Sequence, residues 1–61
     1  MFKFGKISRI YKDEVEVTFT DEDTTELIPI LDIGYRPNID DTVTVLFNDE
    51  NQAVVIGRVL Q

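Results

Sequence analysis

Four sets of residues in this chain are of types that carry chemistry. They are the neighbouring carboxylates Asp40 and Asp41, the acidic run Asp21, Glu22, Asp23 with Glu26, the hydroxyls of Ser8 and the threonines, and a basic, aromatic N-terminal stretch. Each points to a different reaction or ligand. A serine or threonine nucleophile needs a base to activate it, and the sequence contains neither histidine nor cysteine. Paired carboxylates can divide acid and base roles, but Asp40 and Asp41 are adjacent at the entry to an extended segment, where successive side chains diverge. They read as turn or capping residues. The acidic run lacks the D-x-[DN]-x-[DN]-G spacing and terminal bidentate glutamate of a calcium loop, so it reads as a solvated connection. The expectation is a protein that is not an enzyme and carries no metal and no cofactor.

The N-terminal stretch is the remaining candidate. Lys3, Lys6, Arg9 and Lys12 alternate with Phe2, Phe4 and Tyr11. Cations along a backbone with aromatic platforms between them are the signature of single-stranded nucleic-acid binding. Charge opposes that reading. The formal net charge is −6, and everything after Lys12 holds two arginines against all twelve acids. An acidic body repels phosphate. Nucleic acid is therefore an alternative ligand and not the leading one, and mimicry of DNA by the acidic surface is a weaker third.

The elements that would position these residues are strands. "EVEVTF" alternates, with Val15, Val17 and Phe19 on one face and Glu14, Glu16 and Thr18 on the other. "TVTVLF" alternates in the same way, with Val43, Val45 and Phe47 inward. "FKFGKISRIY" loses phase, since Phe2 and Phe4 share a parity with Ile10 but Ile7 does not; a bulge near Gly5 would reconcile the halves. Residues 20–26 are polar and read as a loop. "LIPILDI" (residues 27–33) reads as a strand whose interior proline confines it to an edge or a bulge. "AVVIGRVL" is apolar at both parities, so Val54 and Ile56 form an extra apolar face. No segment has helical periodicity. Five short strands with turns every 8–12 residues predict an all-β, small five-stranded antiparallel barrel of the OB-like kind, one domain over residues 1–61.

A chain of 61 residues buries only about 60% of the surface it exposes when unfolded. Without cysteine for disulfides, closure of the barrel or association must supply the missing stability. No apolar run approaches the roughly 18 residues of a membrane span, so no membrane partner is expected. "MFKFGKISRI" is too short and polar to be the apolar core of a signal peptide.

The order of segments resembles the OB-fold barrel in the central spikes of contractile-tail phages, with baseplate assembly protein V and type VI secretion spike proteins in the same family. The matching phrases are Gly5-Lys6-Ile7, Val17-Thr18-Phe19, Ile28-Pro29-Ile30-Leu31, then Pro37, Ile39, Asp41, Val43, Val45 and Phe47, and last Val54-Val55-Ile56-Gly57-Arg58-Val59. They cover nearly the whole chain. Asp40 stands where that family has glycine, and the family's tryptophan near the third strand is absent. The likeness stops at the barrel and implies nothing of the needle's piercing or trimerising. It implies a structural docking component of a phage tail, baseplate or related contractile machine, in a virion or in the cytoplasm of its bacterial host. Other tail or baseplate proteins would be its partners, and a homo-oligomer is open to it. The residues expected at the interface are those that the core does not need: Lys3, Lys6, Tyr35, Val54, Ile56 and Arg58.

Overall fold

A computed structural model of the chain describes residues 1–19, 21–31 and 34–60. It is all β. The strands are β1 (Phe2–Ile10), β2 (Glu14–Phe19), β3 (Thr24–Pro29), β4 (Thr42–Phe47) and β5 (Ala53–Arg58). They form one sheet in the order β3-β2-β1-β4-β5, with every neighbouring pair antiparallel. The sheet curls until its two edges meet. A parallel bridge joins Ile30, just past β3, to Val55 on β5, and the Leu31 amide donates to the Val55 carbonyl at 3.0 Å. That is the strand order of an OB-like half-barrel.

Curling follows from the side-chain pattern. With no helix to cover it, the apolar face of a flat sheet would stay wet, whereas a twisted sheet can bury that face against itself. Ile7, Val15, Val17, Phe19, Ile28, Val43, Val45 and Val55 are all buried on the inside. The alternation in β2 and β4 supplies five of these eight.

The phase break in β1 is a bulge, but at Ser8 and not at Gly5. Ile7 pairs with Val17 and Arg9 with Glu16, leaving Ser8 as the extra residue. Its hydroxyl donates to the Glu16 carbonyl at 3.1 Å. Gly5 has a different task. It lies buried opposite Val43, where β1 passes so close to β2 that a side chain would collide with Val17. A second bulge interrupts β5: Thr44 pairs with Gly57 and Val45 with Val55, so Ile56 has no partner of its own. Val54 and Ile56 therefore do not line up as one regular face. Val54 stands on the outside opposite Leu46, while Ile56 occupies the bulge.

The third strand begins earlier than its hydrophobicity suggests. Thr24, Thr25 and Glu26, expected in a loop, pair with Phe19, Thr18 and Val17. The polar connection shrinks to a tight turn in which Asp23 takes a left-handed φ of 53°. As an edge strand, β3 needs only Ile28 in the core, so polar residues are tolerated along the rest of it. Proline is its last residue, at the sheet edge, as its missing N–H requires. Of the expected strand 27–33, residues 32 and 33 lie outside the described residues, as does Thr20 of the expected loop.

The remaining turns carry the chemistry that their residues offer. Asn48 accepts from the amides of Glu50 and Gln52 at 2.9 and 3.0 Å, and Asn51 adopts φ 62°. Asp40 stands at φ 71° and donates its amide to the Ile7 carbonyl at 2.8 Å. That is a left-handed conformation, which aspartate tolerates better than most residues and glycine adopts freely.

Candidate functional site

Both ends of the barrel are closed by side chains. At one end Phe19 and Phe47 lie with ring centroids 5.9 Å apart. Lys3 sits above them, its ammonium 5.8 and 5.6 Å from the two centroids, and forms an ion pair with Glu22. The hydrogen bond to Glu22 raises the lysine pKa above its ordinary value. Lys3 pairs across the sheet with Val45 and so shares the parity of the core. It is a lid over two aromatic rings, held by a turn carboxylate, and not the free docking cation that the sequence suggested.

At the other end Tyr35 packs against the core and its hydroxyl donates to Asp41 Oδ2 at 2.6 Å. The same carboxylate oxygen accepts from the Asn38 amide at 3.0 Å. These hydrogen bonds hold the Asp41 pKa below its ordinary value, with Arg58 nearby adding to the effect. Tyr35 moves the other way: burial, then its bond to Asp41, raises it well above 10.0. Tyr35 and Arg58, both expected at an interface, are brought together here around Asp41. Tyr35 is half-buried and committed to the fold; Arg58 is exposed.

This network predicts a pH dependence. Asp41 binds its proton less readily in the folded state, so its contribution is fully present above the ordinary aspartate value of 3.8 and is lost as pH falls through the depressed value. Tyr35 contributes below 10.0 and loses its contribution as pH rises above that. Tyr35→Phe removes the bond from both. It is expected to cost about 0.5–1.5 kcal/mol at neutral pH, with a smaller difference from the parent below pH 3. Urea titrations at pH 7 and pH 2.5 check this; an equal loss at both would mean that the hydroxyl's contribution does not depend on the charge of Asp41.

The outer surface of the sheet carries exposed apolar side chains of its own. Phe2 and Phe4 project from β1 on the outer face, 59% and 53% exposed, their centroids 5.7 Å apart. Phe2 pairs with Leu46 on β4, itself 45% exposed, and Leu46 with Val54 on β5. The row Phe2–Leu46–Val54 and the neighbouring Phe4 form one continuous apolar patch across three strands. A shallow groove between Leu46 and Val54 carries it to the 48–52 turn. Lys6, two residues beyond Phe4, marks the other end and pairs with Thr42. Ser8, Glu16, Thr18 and Thr25 continue the outer face as a polar strip, with the Thr18 and Thr25 hydroxyls 3.1 Å apart. A second, wider depression lies between the β1–β2 turn, the end of β3 and residues 34–37, with Ile10, Tyr11 and Leu31 on its walls.

The chain matches no protein-family model and no curated protein. The five-stranded curled sheet is not specific to baseplate proteins, so the site must be read from its own residues. Among the described residues no three carboxylates gather in a way that could hold a metal ion, and no helix is long and apolar enough to cross a membrane.

Of the six residues expected at an interface, the outer face holds Lys6 and Val54, with Ile56 at the bulge beside it. Lys3, Tyr35 and Arg58 belong to the barrel ends. Phe2, Phe4 and Leu46, exposed on the same face, were not among the six, the two phenylalanines having been considered only as stacking platforms for nucleic acid. The signal for the phenylalanines was their parity: they alternate with Gly5 and Ile7, so if Ile7 is inward they are outward.

Proposed function

We propose that the chain is a protein-docking module that turns over no substrate. Its setting would be the one that its resemblance implies, a phage tail or baseplate or a related contractile machine. The observation that carries the docking reading is the outer patch of Phe2, Phe4, Leu46 and Val54. A barrel with its own core already enclosed has no internal use for two exposed phenylalanines side by side. Contiguous apolar surface of this kind marks a protein interface.

The exposed pair also favours the alternative, in which single-stranded nucleic acid stacks on Phe2 and Phe4. Against it, Lys3 is turned inward and paired with Glu22. Lys6 is then the cation next to the rings on the outer face, which falls short of a basic groove tracking a backbone. A fluorescent oligothymidine is expected to show no saturable binding at about 50 mM salt with tens of micromolar protein, where screening is weakest. Co-expression with each product of the adjacent genes should yield a complex that survives gel filtration and is lost in Phe4→Ser. Sub-micromolar oligothymidine binding abolished by Phe4→Ala would overturn docking in favour of nucleic acid.

A further inference from the structure

The outer patch ends in opposite charges. At one end, beyond Phe4, stands Lys6; at the other, beyond Leu46 and Val54, the 48–52 turn presents Asp49 and Glu50. The single ion pair among the described residues is Lys3–Glu22; the Met1 ammonium, 3.3 Å from the Phe47 carbonyl, offsets part of the charge of Asp49 and Glu50 and leaves that end net acidic. The Asp49 and Glu50 side chains take no part in holding their turn, which is made by Asn48 and Gln52. A surface that is apolar in the middle and oppositely charged at its two ends is complementary to itself when turned end for end.

We propose that the partner on this face is a second copy of the chain, docked as a closed two-fold dimer. The axis lies in the plane of the interface and runs across the strands. That rotation brings Phe2, Phe4 and Leu46 of the two copies together and sets Lys6 of each against the acidic turn of the other, twice over by symmetry. A two-fold axis along the strands would instead stack Lys6 on Lys6 and turn on turn, which like-charge repulsion opposes. Because one patch contacts its own copy, the assembly closes at two and does not grow.

The size of the face sets the strength. The molecule measures 26 × 23 × 22 Å, so one face reaches at most the low end of the roughly 800 Å² per partner of a standard interface. The dimer is accordingly weak, with a dissociation constant of about 1–100 μM. This rests on the docking reading and names its occupant.

Sedimentation velocity of the intact chain from about 5 to 500 μM in 100 mM salt tests it, reading the dimerisation constant of five proteins, the parent and four variants. The parent should form a dimer and nothing larger. Lys6→Glu should weaken it about tenfold, since each rim pair is reversed twice in the symmetric assembly. The paired change Asp49→Lys with Glu50→Lys should do the same, and the combination of all three should restore dimerisation to within about threefold of the parent. Phe4→Ser should abolish it while leaving the circular dichroism spectrum and urea midpoint near those of the parent. A monomer throughout overturns the dimer; if adjacent gene products are still captured through Phe4, docking stands with another protein as occupant. Failure of the combined charge exchange to restore association overturns the end-for-end arrangement. Continued growth with concentration overturns closure and points to the Ile10–Tyr11–Leu31 depression as a second, head-to-tail surface. Oligothymidine bound through Phe4 by a monomer would overturn both the dimer and the docking reading.

Discussion

Phe19→Ala is expected to remove most of the chain's stability at 25 °C. A domain of this length has a total stability of about 3–9 kcal/mol, and truncating a fully buried phenylalanine costs about 3–5 kcal/mol. Phe19 has no exposed surface, packs against Phe47 and lies beneath the Lys3 ammonium. Its loss therefore removes core volume and the floor of the lid together. The neighbouring residues cannot collapse into the gap cheaply, because Val17 and Ile7 are β-branched and fixed by the sheet. Urea unfolding followed by circular dichroism measures the effect. A loss below about 1.5 kcal/mol would mean that Phe47 and the Lys3 stem swing in to fill the space.

Gly5→Ala is expected to destabilise by about 2 kcal/mol, although alanine suits a strand better than glycine does. The intrinsic gain is about 0.5–1 kcal/mol. Against it, a methyl group at Gly5 would collide with Val17 Cγ1 and stand 3.0 Å from the Thr18 carbonyl oxygen and 3.2 Å from Phe19 Cδ1. The carbonyl belongs to the β1–β2 ladder and cannot retreat without breaking it. Overpacking of this kind costs about 1–3 kcal/mol and occasionally more, so the clash wins. A double-mutant cycle with Val17→Ala separates the causes: part of the loss should be recovered in the double variant, because its first obstruction is gone. Strictly additive effects would mean that the obstruction is the backbone alone.

The legible parts of the fold were those where one face is dry and the other wet. "EVEVTF" and "TVTVLF" each declared their inward residues through alternation, and the core took them as read. Where both faces are polar, as in Thr24–Glu26, or both apolar, as in Val54–Ile56, period-two reasoning has nothing to lock onto. Pairing partners then decide, and these are set elsewhere in the chain. The N-terminal cations show the same limit in the site. Lys3 and Lys6 look alike as members of a basic run, yet opposite parity sends one over the aromatic lid and the other to the outer surface. Charge counted along the chain gave them one role; geometry gives them two. Tyr35 was expected at an interface as an exposed residue beside the Gly34 turn; its half-burial and its bond to Asp41 carry no signal in the sequence pattern.

The meeting of Ile30 with Val55 has a consequence for motion. Four long antiparallel ladders hold the strands in a row, but among the described residues the two outer strands are clasped by one bridge and one amide bond. The barrel is a ribbon buckled at a single point. Releasing that buckle would let the ribbon flex open along its length with every ladder intact, wetting Ile28 and Val55 long before the chain unfolds. The first water to enter such an opening would come along that seam, which the amide of Leu31 closes.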